Sequence, residues 1–129
     1  MPSARFLILV ADDNEGIRDT TSLILRDEGY QVVEAQDGEG ALAKLSATSF
    51  DVALLDVRMP KQDGIAVVEA MFPDPPPPAV VIVTAYDIGD DVRAKLGNKV
   101  YRYLRKPVSP VQLIDVVGKA ARLARAVNQ

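Results

Sequence analysis

The chain of 129 residues contains no cysteine and no histidine. Without cysteine, disulfide and thiolate chemistry are excluded. Without histidine, the commonest general base and metal ligand is missing. Chemistry must then come from Asp, Glu, Lys, Thr, Ser and Tyr. Long apolar runs are also lacking. The longest, Phe6 to Ala11 and Ala79 to Val83, fall far short of the ~20 residues that span a bilayer. No stripe of Lys and Arg provides the electrostatic footprint of nucleic-acid binding, and the net charge is −3. Met1 to Arg5 lacks the charged, apolar, cleavage-site order of a signal peptide. The expectation is a cytoplasmic chain, one domain over 1–129 with one core, that contacts neither membrane nor nucleic acid directly.

What is present alternates between short apolar runs and helical patterns. Phe6 to Val10 is a continuous apolar run, as in a strand buried on both faces. Ile17, Thr21, Ile24 and Leu25 then fit one helical face, and Gly29 suits the residue after its end. Gln31 to Ala35 is a thinner strand. Asp37 is placed to cap a second helix carried by Ala41, Leu42 and Leu45. Val52 to Leu55 is a third strand, and Gly64 to Phe72 a third helix. Pro73 to Pro78 reads as a stiff return to the sheet rather than a PxxP ligand, because a strand, Ala79 to Val83, follows at once. Asp91 to Leu96 allows barely two turns of a fourth helix, ended by Gly97. Val100 to Leu104 alternates like an edge strand. Ser109, Pro110 and Gln112 start the last helix as a capping box, with Leu113, Ile114, Val117, Ala121 and Ala124 as its core face. Five β-α units of this kind predict an α/β, doubly wound (βα)5 domain with a parallel sheet. The two weakest strands belong at the edges, which gives the order 2-1-3-4-5.

Polar residues punctuate the carboxyl ends of these strands, where open α/β sheets bind ligands. Strand one ends in Asp12-Asp13, strand three in Asp56, strand four in Thr84, and strand five in Lys106 after a short step. Each alone has an ordinary explanation: a helix cap, a turn or a strand end. Together, in the strand order above, they form one shallow pocket. Crowded carboxylates need a cation, and oxygen ligands without His or Cys favour Mg²⁺, or Mn²⁺, over zinc. A carboxylate beside such an ion can attack phosphorus to form an acyl phosphate. Phosphoryl transfer needs mainly positioning and neutralised oxygens, which the ion, Lys106 and Thr84 can supply.

The motifs Val10-Ala11-Asp12-Asp13-Asn14, Leu55-Asp56-Val57-Arg58-Met59-Pro60 with Asp63-Gly64, Val83-Thr84-Ala85 and Tyr103-Leu104-Arg105-Lys106-Pro107 resemble those of receiver domains of two-component response regulators. The resemblance covers Phe6 to about Ala126 and implies a flavodoxin-like fold. It implies that Asp56 is the phosphoacceptor, with Asp13 ligating Mg²⁺ directly, Asp12 acting through water, and the backbone carbonyl of Arg58 a further ligand. Lys106 would pair with the phosphoryl group, Thr84 would swing towards it, and Tyr103 would turn inward. Pro107 would follow a cis peptide bond. The implied donor is a sensor histidine kinase or histidine phosphotransfer protein. The implied reader is an output domain or partner protein at the face of helix four, strand five and helix five, and a homodimer on phosphorylation stays open. The chain would catalyse only its own phosphorylation and dephosphorylation.

Two departures stand out. Leu96-Gly97-Asn98-Lys99-Val100 replaces the Gly-Ala pair usual before strand five, and helix four is short with Gly89 at its start. Arg58 and Tyr86 are bulky at positions that, by the resemblance, flank the phosphoryl group, and are expected to slow attacking water. Competing readings are an inert receiver that only binds protein, a metal-dependent phosphohydrolase and a flavodoxin. The phosphohydrolase wants an acid where Arg58 stands. The flavodoxin wants a phosphate loop where Asp12 to Glu15 would repel phosphate.

Overall fold

The computed structural model describes residues 6–71 and 78–127. Its elements alternate as β1 (Leu7–Ala11), α1 (Glu15–Asp27), β2 (Gln31–Ala35), α2 (Gly38–Ala47), β3 (Val52–Asp56), α3 (Gly64–Met71), β4 (Ala79–Thr84), α4 (Asp90–Leu96), a 3-10 turn (Gly97–Lys99), β5 (Arg102–Arg105) and α5 (Pro110–Val127). The five strands pair in parallel in the order β2-β1-β3-β4-β5. The expected fold class and strand order are therefore both present. The proline passage and Phe72 fall, apart from Pro78, outside the described residues.

Alternate strand residues point to opposite faces, so a doubly covered sheet needs apolar residues on both. Leu9, Ala53, Leu55, Val80 and Ile82 pack with Ala41, Val67, Val68 and Leu96 from α2, α3 and α4. Ile8, Val10, Val52, Leu54 and Val81 pack with Leu25 of α1 and with Leu113, Val116, Val117, Ala120 and Ala121 of α5. β3 is buried along its whole length, so its terminal Asp56 is carried to the middle of the sheet. Burial of each large aliphatic side chain contributes about 1.5–3 kcal/mol.

The ends of the helices follow their local chemistry. Asn14 Oδ1 accepts from Ile17 N at 2.9 Å and caps α1, which frees Asp12 and Asp13 from that duty. Asp37 caps α2 through Gly40 N at 2.7 Å, and Ser109 Oγ accepts from Gln112 N at 3.1 Å at the start of α5. Gly29 follows α1 with φ 94° and Gly97 follows α4 with φ 54°, left-handed geometries that favour glycine.

Two expectations need correction. β5 begins at Arg102 rather than Val100, because residues 97–99 wind into the 3-10 turn that delivers Val100 to the core. Ile114 is only partly buried, while Val116 and Ala120 face the sheet. Ile17 is 40% exposed, and the fully buried α1 positions are Ser22 and Leu25. Ile17 lies along a cleft instead of in the closed core.

Candidate functional site

The expected residues meet at the carboxyl ends of the strands. The strand order reverses between β1 and β3, and the site sits at that switch point. In the sheet register Ala11 lies beside Leu55, Asp56 beside Val83, and Thr84 beside Arg105. One further step along each chain brings Asp12, Asp56, Thr84 and Lys106 to a common rim. Lys106 N donates to Thr84 O at 2.8 Å, so the lysine loop leaves the sheet still tied to β4. The peptide bond between Lys106 and Pro107 is cis, as the resemblance implied.

Asp12, Asp56 and Thr84 are buried polar side chains, and Asp13 is exposed. One carboxylate oxygen from each of Asp12, Asp13 and Asp56 lies within 4.8 Å of the others. Lys106 Nζ is 2.8 Å from Asp12 Oδ2 and 3.3 Å from Asp56 Oδ2. The other oxygen of Asp12 accepts from Asn14 N at 2.9 Å. Arg18 donates to the Asp12 carbonyl at 2.8 Å, which holds the acidic turn against α1.

This environment sets the charges. Burial pushes the Asp56 carboxyl above its ordinary range, and the neighbouring Asp12 carboxylate raises it further. The Lys106 ammonium and the Arg58 backbone N–H oppose that rise without cancelling it. Burial disfavours the charge on Lys106, but its hydrogen bond to Asp12 and the Asp56 carboxylate more than offset this, so its affinity for a proton is raised. The site therefore holds more negative charge than one ammonium satisfies. The three carboxylates form an oxygen-only set suited to a hard divalent cation.

Thr84 Oγ1 accepts from Tyr86 N at 3.0 Å, which leaves its proton free to donate. Above it the Arg58 guanidinium carbon stands 4.2 Å from the centre of the Tyr86 ring, a cation–π contact across two loops. Tyr103 is half-buried against the core beneath α4, and Arg93 stands 4.2 Å over its ring. Its hydroxyl is buried without a hydrogen-bond partner among the described residues. α4 starts at Gly89 without a side-chain cap, in line with the expected weak start.

A cleft of about 840 Å³ runs from Asp12, Asp56 and Lys106 between α1 and α5. Ile17, Thr21 and Ile24 line one side, and Val108 and Leu113 the other.

Other contacts escaped the sequence reading. A Cβ on Gly64 would sit 2.3 Å from the Asp56 carbonyl oxygen, so only glycine lets α3 begin against the end of β3. The Asp63-Gly64 turn was the available signal. Arg105 donates from Nε to the Ala85 carbonyl at 3.1 Å and pairs with Asp87 through Nη1. Nothing in the sequence alone assigned it that role.

Fold and site together define a parallel α/β domain with an acidic, cation-suited pocket and a fixed lysine at the carboxyl ends of its strands. Residues 8–118 match the family model of the response regulator receiver domain. The chain belongs to that family. It is 33% identical over 108 residues to a response regulator receiver protein of Anaeromyxobacter sp., covering 84% of this chain and 45% of the relative. It is 32% identical over 122 residues to the transcriptional regulatory protein PdtaR of Mycobacterium tuberculosis, covering 94% and 59%. The first curated relatives are thus about twice as long as the chain, or longer. Among solved structures, a CheY-like receiver domain protein from Methanospirillum hungatei superposes with a TM-score of 0.88 at 28% identity, covering 95% of this chain and 98% of the other. The chemotaxis protein CheY4 of Vibrio cholerae superposes with a TM-score of 0.79 at 29% identity, covering 91% and 99%. The chain is a receiver domain of two-component response regulators, a family of phosphorylation-based signalling. No helix among the described residues is long and apolar enough to cross a membrane.

Proposed function

We propose that Asp56 accepts a phosphoryl group from a phosphohistidine on a sensor histidine kinase or histidine phosphotransfer protein. The observation that carries this reading is the joint grip of Lys106 on Asp12 and Asp56, beside a third carboxylate. It gives a buried nucleophile its counter-charge and leaves an acidic cradle for a cation. The 129 residues contain no histidine, so the donor imidazole belongs to another protein or segment.

One Asp56 oxygen attacks phosphorus in line as the bond from phosphorus to the donor imidazole nitrogen breaks. The nitrogen takes up a proton and leaves as neutral imidazole, and Asp56 becomes an acyl phosphate. Asp12, Asp13, Asp56 and the Arg58 carbonyl would hold Mg²⁺, or Mn²⁺. When bound, the ion neutralises phosphoryl oxygens. Lys106 exchanges its contact with Asp56 for the new phosphoryl oxygens. Thr84 donates its hydroxyl proton to them. The added charge of about −2 thus draws two strand ends inward. Thr84, Tyr103 and α4 then bias the α4-β5-α5 face, which an output domain or partner protein reads. Pro107 fixes the turn that aims Lys106. Water later cleaves the acyl phosphate at the same site.

Arg58 and Tyr86 cover the approach from solvent. Replacing either by alanine is expected to shorten the phosphoryl lifetime several-fold, and unchanged decay in both variants would refute this role. The main reading is tested with a radiolabelled small-molecule acyl phosphate and Mg²⁺. Wild type takes up label, whereas Asp56→Asn and chelator-treated wild type do not. Failure of wild type to take up label under these conditions would favour an inert protein-binding module.

A further inference from the structure

Arg105 occupies the last position of β5, next to Lys106, yet it does not point to the acidic pocket. Its guanidinium reaches over the neighbouring β4–α4 loop. Nε donates to the Ala85 carbonyl at 3.1 Å, and Nη1 pairs with the Asp87 carboxylate. The two held residues flank Tyr86. Tyr86 itself is tied below through its N–H to Thr84 Oγ1 at 3.0 Å, and its ring meets Arg58 from the β3–α3 loop at 4.2 Å. The β4–α4 loop is thereby tied to the end of β5 through Arg105 and to the β3–α3 loop through the contact of Arg58 with Tyr86.

We infer that Arg105 is a positioning residue that clamps the β4–α4 loop and so holds Tyr86 closed over the phosphorylation site. The inference rests on the role proposed for Tyr86. Geometry explains why arginine suits the place. A guanidinium presents several N–H donors in a fixed plane and can serve a carbonyl and a carboxylate together, whereas an ammonium is a single point of charge. With neither end of the loop segment held, Tyr86 keeps, among the described residues, its amide bond to Thr84 and its contact with Arg58. Tyr86 is 53% exposed, so packing alone does not fix it.

The clamp is itself a surface feature. The Arg105 and Asp87 side chains are 58% and 89% exposed. Contacts of this kind shift populations rather than decide stability, and the expected effect on rate is roughly two- to fivefold. Exposure also makes the ion pair sensitive to salt, whose screening length falls to about 3 Å at 1 M.

The test measures decay of the Asp56 acyl phosphate in wild type, Arg105→Ala, Tyr86→Ala and the double variant. Arg105→Ala is expected to accelerate decay in the wild-type background and to add nothing once Tyr86 is gone. Arg105→Lys, which keeps the charge but not the fork, is expected to fall between wild type and alanine. Raising salt is expected to accelerate wild type more than Arg105→Ala. If Tyr86→Ala changes decay and Arg105→Ala does not, the clamp is refuted while the role of Tyr86 stands. If Tyr86→Ala changes nothing, that role fails and the clamp fails with it. Equal acceleration by Arg105→Ala in both backgrounds also overturns the clamp, because the arginine would then act by another route. Amide hydrogen exchange at Tyr86, followed by NMR in the unphosphorylated protein, gives a readout that needs no phosphoryl group. It is expected to quicken in Arg105→Ala, and unchanged exchange contradicts the proposal.

Discussion

Asp56 and Lys106 owe their behaviour to being buried together. Burial raises the carboxyl's affinity for its proton, and Asp12 adds to that rise. An acid whose pKa is higher folded than unfolded binds more protons in the folded state, so stability falls as pH climbs through that interval. Below the unfolded carboxylate value of about 3.9, Asp56 is protonated in both states and carries no penalty. Above its raised folded value the penalty is complete. Asp56→Asn is therefore expected to unfold a few degrees higher than wild type at neutral pH without metal. That advantage should fade as pH drops towards the unfolded range, as thermal melts across pH will show. A constant difference at all pH values would mean that the charge of Asp56 is not the cause. Most of this site was legible because its residues stand at strand ends, where the sheet direction fixes where they go. The doubt over Asp12 and Asp13 as helix caps could not be removed from sequence, since Asp and Asn both serve as caps. Asn14 settles it by taking the Ile17 N–H. Arg105 was illegible for a different reason: its partners, Ala85 and Asp87, lie 20 and 18 residues away, on another loop.

At the level of elements, boundaries shift where side chains outweigh periodicity. The chain around Val100 looked like strand because it alternates, yet a 3-10 turn that starts at Gly97 with positive φ runs to Lys99, and the chain pairs with β4 as a strand only from Arg102. The burial of Val116 in place of Ile114 shows how α5 is rotated against the sheet, a detail that an amphipathic pattern rich in apolar residues leaves open. Ile17, part of the periodic face of α1, borders the cleft between α1 and α5. The join of β3 to α3 gives a test. Gly64 N donates to Val57 O at 2.9 Å, and an added Cβ would collide with the Asp56 carbonyl at 2.3 Å. The obstacle is backbone, so it cannot swing aside. Gly64→Ala is expected to displace the Asp56 loop, lowering stability by about 1–3 kcal/mol and phosphoryl uptake by tenfold or more. Denaturant midpoints and label incorporation measure the two effects. Wild-type uptake by this variant would show that the close approach does not position the nucleophile.

At the scale of the whole molecule, the topology was the most readable feature. Two thin strands, β2 and β5, go to the edges, and three apolar strands fill the centre. That order alone places three acidic residues and a threonine at one rim. On the proposed reading the same arrangement couples folding to metal. Carboxylates that repel one another in the folded state are separated in the unfolded chain, so an ion they share binds the folded form. Mg²⁺ at a hundred times its dissociation constant is expected to stabilise wild type by about 2.7 kcal/mol. The gain should be smaller in Asp56→Asn, which offers one carboxylate fewer. Equal gains in both proteins would place the ion elsewhere.

The central claim concerns a single covalent bond, and its location can be read directly. The protein is treated with a small-molecule acyl phosphate and Mg²⁺, reduced with borohydride to convert an aspartyl phosphate into homoserine, digested, and mapped by mass spectrometry. The account predicts homoserine at position 56, dependent on Mg²⁺ and absent from Asp56→Asn. Homoserine at position 12 or 13, or none at any aspartate, would contradict it.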